Sequence, residues 1–317
     1  IVRTNWRRGC QDGSMKLAIR STLVLEIRKP VFLNLDRDLT TKCTIRPNNL
    51  LRQTTPHHIG GSSMYLSCCI WALSDGNPLR VKKLYDIGFR HIDIRAIDFQ
   101  DKTEKPELPV SCVGLSFGIP DEYSLDNHDS ERSMASGVYL LKALEHAVWA
   151  DAGYAYIVPE FDSDPGALSR FAGHLLHLAD RASEYDIKVC IEHFPGRSLP
   201  TVAETLAFIQ DLSHPNLYLL LDTGHAQISG EDPSEAIIRA GDRLGYVHFD
   251  DNDGVDDLHL GLCDGILTDE VIRTTLNTLH KIGYGGGVSL ELKGTLPDPV
   301  GAIKKSRDIV LAASNNT

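Results

Sequence analysis

The sequence predicts a (β/α)₈ barrel, the TIM-barrel fold class, with a poorly structured N-terminal extension. From Met64 onwards a unit repeats in which a short apolar run is followed by a Gly, Pro or Asp break and then by an amphipathic stretch. Eight such units within about 250 residues are typical of a parallel barrel surrounded by helices. A doubly wound sheet is the competing fold, but no G-x-G-x-x-G motif follows the first apolar run.

The eight apolar runs are the predicted strands. Each is short, rich in Val, Ile, Leu or Tyr, and bounded by residues that favour turns. In chain order they are Tyr65–Trp71, His91–Ile94, Val110–Phe117, Tyr154–Val158, Lys188–Ile191, Leu217–Leu221, Leu244–Phe249 and Val288–Leu292.

The helices are predicted from signals at their ends. An Asp followed by a Pro opens two of them, at 164–165 and 232–233, because Asp caps the first turn and Pro is tolerated inside it. Thr201 and Glu204 have the spacing of a capping box. The segment Phe99–Pro109 is short, charged and contains two prolines, so its helix is expected to be truncated or missing. Glycines are expected to end three helices, at Gly88, Gly153 and Gly283.

Residues 1–63 differ from the rest of the chain. They hold 11 of the 32 Lys and Arg residues but only 4 of the 43 Asp and Glu residues, and their apolar residues follow no sustained period. A Gly-Gly-Ser-Ser break precedes Met64. One interpretation takes Met64 as the natural start and the preceding residues as extra translated sequence; the alternative is a genuine basic arm. The predicted division is an irregular extension at 1–63 and a catalytic barrel domain at 64–317.

Composition excludes several classes of protein. No run reaches the roughly 18 consecutive apolar residues of a membrane span, so no membrane partner is expected. Residues 64–317 carry 21 basic and 39 acidic groups, a balance that disfavours nucleic acid and favours a small-molecule substrate or a metal. The seven cysteines have no regular spacing, which favours a reducing cytoplasm over a disulfide framework.

Four successive predicted strands end in a residue that can bind a metal. These residues are Glu192, Asp222, His248 and Glu291. Because functional groups of a barrel enzyme lie at the carboxyl ends of its strands, the four side chains are expected to converge. Three carboxylates close together repel one another unless a cation lies among them. Oxygen-rich ligation with one imidazole suits Mn²⁺, Mg²⁺ or Co²⁺, with Mn²⁺ the expected ion.

Such an ion would polarise a substrate carbonyl and stabilise the enediolate formed when the adjacent carbon loses a proton. Either ligating glutamate, Glu192 or Glu291, could act as the base. These residues by themselves predict a metal-dependent enzyme that moves protons on a small polyhydroxylated carbonyl compound.

Five segments of the second half of the chain resemble the xylose isomerase-like barrel superfamily. The resemblance is to its sugar phosphate isomerase/epimerase branch, which includes D-tagatose 3-epimerase-like enzymes. They are Cys190-Ile-Glu-His-Phe-Pro-Gly196, Leu221-Asp-Thr-Gly-His225, Val247-His-Phe-Asp-Asp-Asn-Asp-Gly254, His259-Leu-Gly-Leu-Cys-Asp-Gly265 and Val288-Ser-Leu-Glu-Leu-Lys293. The resemblance covers Met64 to about Ser314 and implies that the four strand-end residues bind one metal. It also implies a metal-dependent sugar isomerase or epimerase that acts on a ketose or related polyol ketone. In such an enzyme the two glutamates exchange protons on opposite faces of the ketose, and His225 contacts the substrate.

The resemblance leaves the substrate open. Ketose epimerases of this branch carry an Arg shortly after the seventh-strand His, where this chain has Asp250-Asp-Asn-Asp-Gly254. Their Gly-x-Gly element reads Cys263-Asp-Gly265 here. A metal-dependent lyase or dehydratase of keto-sugars or inositol derivatives is therefore the main alternative. A phosphodiesterase like the apurinic-site endonucleases needs further histidines at strands two and three, and an inactive binding module should lack a ligand.

Further residues are candidates for substrate binding. Trp71, Glu160, His193 and Arg197 fall at or just beyond strand ends, and His259 lies in the long loop after the seventh strand. Arg95 and Arg197 could hold a phosphate, although no Gly-rich cradle accompanies them. The aspartates between 250 and 257 lack the spacing of a calcium loop and are expected to be solvated. Relatives that form oligomers make a homo-oligomer possible by analogy.

Overall fold

The computed structural model describes residues 64–120 and 122–314. Eight strands alternate with helices, and each strand holds between four and six residues. The strands are β1 (Tyr65–Cys68), β2 (Ile92–Arg95), β3 (Val110–Gly114), β4 (Tyr154–Ile157), β5 (Lys188–Glu192), β6 (Leu217–Asp222), β7 (Leu244–Phe249) and β8 (Gly287–Leu290).

Eight α-helices surround these strands, and the sixth strand is followed by two of them. They are α1 (Asn77–Ile87), α2 (Ser130–Trp149), α3 (Pro165–Ser183), α4 (Val202–Leu212), α5 (Thr223–Ile228), α6 (Pro233–Ala240), α7 (Asp269–Lys281) and α8 (Pro299–Ser314). Two 3₁₀ turns lie at Ile70–Ala72 and Gly241–Arg243. As expected, no helix forms between β2 and β3, all of whose linking residues are described.

The strands form one parallel sheet that is nearly closed. Its order is β1-β8-β7-β6-β5-β4-β3-β2. The strands from β2 to β8 thus each lie beside their neighbours in sequence, and β1 pairs with β8. Between β1 and β2 the described residues form no ladder. A single bridge joins Cys69, the residue after β1, to Asp93 of β2. The predicted barrel is confirmed. Because its strands are parallel, all their carboxyl ends lie at one rim.

Side chains alternate between two apolar layers along each strand. On β6, Leu219 and Leu221 belong to the large core between the sheet and the helices, whereas Leu220 belongs to a small inner cluster. The inner cluster consists of Cys112, Tyr156, Cys190, Leu220 and Tyr246. Because side chains two apart share a face of a strand, Asp222 projects on the same face as Leu220, toward the barrel interior.

Helix ends follow the predicted chemistry in most places. The carboxylates of Asp164 and Asp232 accept backbone N–H bonds in the first turns of α3 and α6, and Thr201 does so for α4. Gly88 adopts a left-handed φ of 116° after α1. The expectation for Gly153 is wrong, because α2 already ends at Trp149 and the left-handed residue is Asp151, with φ of 55°.

Several predicted strands are shorter than expected. The first ends at Cys68, so Cys69 and Trp71 lie beyond it, and the third ends at Gly114 before Phe117. After β1 the backbone enters the 3₁₀ turn at Ile70–Ala72, although Cys69 still donates its N–H to the carbonyl oxygen of Leu290. The expectations for residues 1–63 lie outside the described residues. Within those residues, no helix is both long and apolar enough to cross a membrane.

Candidate metal centre

The structure brings together the four strand-end residues named by the sequence. Glu192 and Asp222 are the last residues of β5 and β6, His248 is the penultimate residue of β7, and Glu291 directly follows β8. One ligand atom from each lies within 4.8 Å of the others. The residues are 3%, 0%, 0% and 7% exposed, respectively. Three carboxylates and one imidazole are therefore enclosed together at the carboxyl rim of the barrel.

The imidazole of His248 lies between the two glutamates. Its Nδ1 is 2.5 Å from Oε2 of Glu291 and 3.7 Å from Oε1 of Glu192. Burial alone would lower the pKa of His248, but Glu291, Asp93 and Glu192 together raise it well above its ordinary value. Burial likewise opposes ionisation of Glu291, yet His248 brings the pKa of that carboxyl down to about 2.

The pKa of the Asp222 carboxyl is shifted in the direction opposite to that of Glu291. Its complete burial, followed by the nearby Asp250 carboxylate, raises its pKa well above the ordinary value. Its Oδ1 accepts the backbone N–H of His225 at 2.7 Å. Among the described residues, Oδ2 of Asp222 has no hydrogen-bond partner.

This unsatisfied oxygen and the three clustered carboxylates point to a cation. A buried acceptor without a partner costs about 1–3 kcal/mol, and clustered carboxylates add Coulomb repulsion. A divalent ion among the four side chains would satisfy this oxygen and offset the repulsion. The donor set, three carboxylates and one imidazole, fits Mn²⁺, Mg²⁺ or Co²⁺ better than it fits a metal that prefers thiolates.

The local sequence around Asp222 explains how its carboxylate is held. Asp222 is the N-cap of α5, so the same residue ends a strand and begins a helix. Nε2 of His193 lies 3.2 Å from the backbone nitrogen and oxygen of Asp222. Burial, with His225 nearby, lowers the pKa of His193 to about 3, so its ring is neutral. His193 thus supports the backbone of Asp222 and is fully buried beneath the rim.

Gly224 allows the loop after β7 to approach α5 closely. Its N–H donates to Oδ1 of Asp250 at 2.8 Å. A Cβ at this position would lie 2.5 Å from both Asp250 carboxylate oxygens and 2.2 Å from Nδ2 of Asn252. The glycine in the Asp-Thr-Gly-His segment is therefore required by a close approach.

Replacing Gly224 with alanine is expected to lower the free energy of unfolding by about 1–3 kcal/mol, the usual cost of overpacking. The matched control is Gly173→Ala, since Gly173 is an exposed helical glycine of α3 with no atom within 4 Å of an added Cβ. That control should stabilise the protein by about 0.5–1 kcal/mol. Urea unfolding monitored by circular dichroism measures both, and a stabilising Gly224→Ala would contradict the close packing.

The expectation of a solvated aspartate loop is wrong for its first part. Asp250, Asp251 and Asn252 are fully buried. The carboxylate of Asp251 accepts the N–H groups of Gly265 and Leu267 at 2.8 and 2.9 Å. Asn252 Oδ1 accepts the N–H groups at 258 and 259 at 2.5 and 2.9 Å. These side chains replace regular backbone pairing and hold the long loop against the barrel rim.

Asp257 lies close to two histidines, a role that the sequence did not predict. Its Oδ1 is 3.2 Å from Nε2 of His259 and 3.5 Å from Nε2 of His225. His259 Nδ1 also lies 2.9 Å from Oδ2 of Asp250. One ligand atom from each of His225, Asp257 and His259 falls within 4.8 Å of the others. A second group of metal-binding type thus adjoins the first.

The charges in this second group reinforce one another. Burial opposes protonation of His225, but Asp222, Asp257 and Glu192 raise its pKa to about 10. Burial likewise opposes ionisation of Asp257, but His225 and His259 hold the pKa of that carboxyl well below its usual range. No periodic pattern marks Asp257 in the sequence, since its position depends on how the loop folds back.

The remaining candidates lie around this centre in different roles. Trp71 donates its indole N–H to Oε1 of Glu291 at 3.1 Å. Glu160 accepts the N–H of residue 125 at 2.9 Å and so anchors the loop after β3. The guanidinium of Arg197 stacks on Phe161, 3.8 Å from the ring centroid. Arg95 is paired with the Asp98 carboxylate, which leaves it less available for a phosphate.

The sequence is similar to curated enzymes of two activities. It is 26% identical over 233 residues to a ketose 3-epimerase of Arthrobacter globiformis, covering 69% of this chain and 78% of that enzyme. It is 36% identical over 93 residues to an inosose dehydratase of Lacticaseibacillus casei, covering 29% of this chain and 30% of that enzyme. The second match thus spans about a third of the dehydratase.

Solved structures share the fold at lower sequence identity. A D-tagatose 3-epimerase-like protein superposes with a TM-score of 0.65 at 19% identity, covering 79% of this chain and 98% of that one. The IolI protein with a bound zinc atom gives a TM-score of 0.65 at 17% identity, with the same coverage of both chains.

The family assignment rests on the largest part of the chain. The sequence model of one barrel family matches residues 75–312. This range includes all four strand-end residues and the loop after β7. The nearly closed parallel sheet and the shared fold of solved structures agree with this match. The chain belongs to the xylose isomerase-like TIM barrel family.

Proposed function

We propose that this chain is a divalent-metal-dependent sugar isomerase or epimerase that acts on a ketose or a related polyol ketone. The observation that carries the proposal is the convergence of Glu192, Asp222, His248 and Glu291 within 4.8 Å of one another. The similarity to a ketose 3-epimerase supports the substrate class.

The four residues would hold one ion, most simply Mn²⁺. When bound, the ion supplies Lewis acidity, which polarises the substrate carbonyl and makes the adjacent C–H more acidic. Glu192 and Glu291 belong to strands separated by β6 and β7 in the sheet order, so their carboxylates enter the site from different directions. That arrangement suits one carboxylate on each face of a reacting carbon.

The proton transfers conserve charge and electrons. One glutamate takes the proton from the carbon beside the carbonyl, the C–H electron pair becomes the C=C bond of an enediolate, and the carbonyl pair moves onto oxygen. The other glutamate, in its acid form, returns a proton to the opposite face of the same carbon. The net change is an inverted centre, with no oxidant required.

Residues beside the two glutamates would orient the sugar. Nδ1 of His225 lies 3.0 Å from the carbonyl oxygen of His193, which leaves Nε2, 3.5 Å from Oδ1 of Asp257, to contact substrate oxygens. His259, whose side chain is 21% exposed, and Arg197 are further candidates for contact with substrate hydroxyl groups. Trp71 holds one oxygen of Glu291 through its indole N–H, which limits the rotation of that carboxylate.

A dehydratase is the second candidate, and the match to an inosose dehydratase favours it. Both reactions begin with the same proton abstraction. In the dehydratase a hydroxyl on the next carbon leaves as water, so the second glutamate would protonate that leaving group. The same carboxylates could serve either outcome.

A screen in D₂O would test the proposal. Free ketoses, keto-glycosides and inosose-type compounds are incubated with the Mn²⁺-loaded protein and followed by NMR and mass spectrometry. Deuterium uptake beside the carbonyl with inversion and without loss of water is the expected result. Loss of water would favour the dehydratase, and no exchange in any compound class would contradict both.

Other features of the proposed enzyme follow from the chain as a whole. Its substrate is a small carbohydrate, not nucleic acid, which agrees with its acidic body. The five cysteines in the described residues are unpaired, consistent with the proposed cytoplasmic location. A homo-oligomer is possible by analogy with relatives.

A further inference from the structure

Asp93 is a buried carboxylate inside the barrel that has no part in the four-residue centre. It lies on β2 and is 0% exposed. Its Oδ1 accepts hydrogen bonds from the hydroxyls of Ser67 and Tyr246, both at 2.8 Å. Its Oδ2 is approached by the weak thiol donor of Cys69 at 3.9 Å and by Nε2 of His248 at 3.7 Å. Burying a charged carboxylate costs free energy unless it is paired, so the position of Asp93 beside His248 suggests a role for it.

The two nitrogens of His248 face different partners. Nδ1 points to the carboxylates of Glu291 and Glu192, whereas Nε2 points to Asp93. Tyr156 and Tyr246 both contact the imidazole edge-on, with ring centroids 5.3 and 5.8 Å away. These rings restrict rotation of the imidazole, so a given nitrogen keeps its partner.

We propose that Asp93 is a positioning residue that sets the tautomer of His248, accepting the Nε2 proton so that Nδ1 presents its lone pair to the metal. The inference rests on the metal-binding part of the proposed function. A ligating nitrogen must be unprotonated, so the remaining ring proton belongs on the other nitrogen. Histidine ligands commonly donate that proton to a carboxylate, which fixes both tautomer and orientation.

The 3.7 Å separation is about half an ångström longer than a normal hydrogen bond. Among the described residues Nε2 of His248 has no hydrogen-bond partner, so no other acceptor competes for its proton. Ser67 and Tyr246 hold only Oδ1, which leaves Oδ2 oriented toward the ring. The shift needed to bring Nε2 within hydrogen-bond distance of Oδ2 is therefore about half an ångström.

Replacing Asp93 with asparagine should reverse the tautomer while keeping the shape. The two hydroxyl donors would retain the amide oxygen at the Oδ1 position, which places the amide NH₂ opposite Nε2. That nitrogen must then act as an acceptor, and the ring proton moves to Nδ1, where it blocks the lone pair. The same reasoning explains why an aspartate-to-asparagine change in a serine protease triad leaves a wrong tautomer.

The test measures Mn²⁺ affinity by competition with a chromogenic chelator in the wild type, Asp93→Asn and Ser67→Ala. We expect about 10–100-fold weaker binding in Asp93→Asn, as found for partners of metal-bound histidines. Ser67→Ala removes one hydrogen bond to Oδ1 but keeps the Oδ2 acceptor, so its affinity should stay close to that of the wild type. Equal affinity in the wild type and Asp93→Asn, or equal weakening in both variants, would overturn the inference.

A second measurement needs no variant and covers the case in which Asp93→Asn does not fold. Nitrogen-15 NMR of histidine-labelled wild-type protein with Zn²⁺ reads the tautomer of His248 directly. A proton on Nε2 is expected, and a proton on Nδ1 would overturn the inference. A wild type that binds no divalent metal would overturn this inference and the proposed function together. Normal metal binding without turnover of any ketose or inosose would overturn only the proposed reaction.

Discussion

Glu291→Gln is expected to lower kcat for the ketose substrate by about 10²–10⁴-fold, the usual contribution of a positioned acid or base. The amide keeps the shape of the side chain and can still accept the indole N–H of Trp71, which lies 3.1 Å away in the wild type. It cannot take up or return a proton. A carboxyl group that binds a metal must be ionised, so the wild-type residue is available as a base at neutral pH.

Steady-state turnover at saturating Mn²⁺ and deuterium exchange at the reacting carbon measure this loss. Glu192→Gln should show a comparable defect, because each glutamate serves one face of the carbon. Glu184→Gln is the matched control, since Glu184 is an exposed carboxylate paired with Arg181 outside the site. Normal turnover by Glu291→Gln with its metal retained would contradict the proposed proton transfer.

Removing the metal is expected to lower the melting temperature on the order of 10 °C. A ligand at 1,000 times its Kd stabilises the folded state by about 4 kcal/mol. Each kcal/mol shifts the melting temperature by about 2–4 °C in a domain of this size. The physical reason is the enclosed set of three carboxylates, of which Asp222 has one oxygen without a partner among the described residues.

Differential scanning calorimetry of chelator-treated and Mn²⁺-reloaded protein checks this shift, and elemental analysis counts the ions. One equivalent per chain is expected, and Asp222→Asn should abolish the shift. Asp257→Asn is the control outside the four-residue centre and should keep that equivalent. Should a second equivalent appear and vanish in Asp257→Asn, it would belong to the neighbouring group with His225 and His259. No change in melting temperature on chelation would contradict the metal centre.

The placement of the four strand-end residues could be predicted without coordinates. A parallel barrel sends every strand toward the same rim, so the residue that ends each apolar run must arrive there. Glu192, Asp222, His248 and Glu291 each close such a run, and the structure encloses them together. Strand lengths could not be predicted in the same way, because the chain around Trp71 and Phe117 stays apolar after the ladder has ended.

The roles of Asp93, Asp250 and Asp257 could not be predicted in this way. Asp93 lies in the middle of a strand, and its partners are at positions 67, 246 and 248, far away in sequence. The aspartates after β7 follow no period, so composition alone indicated a solvated loop. In the structure that loop folds back over α5, which buries Asp250 and brings Asp257 to His225.

The sequence by itself therefore determined the barrel, the rim and the four side chains that meet there, because strand periodicity and parallel topology are local properties repeated along the chain. Only the tertiary structure decided which groups surround those four side chains. Burial, hydrogen bonding and charge pairing depend on distances between residues that are remote in sequence, and no local pattern encodes those distances. The neighbours of His248 and Asp222 that tune their chemistry belong to this second category.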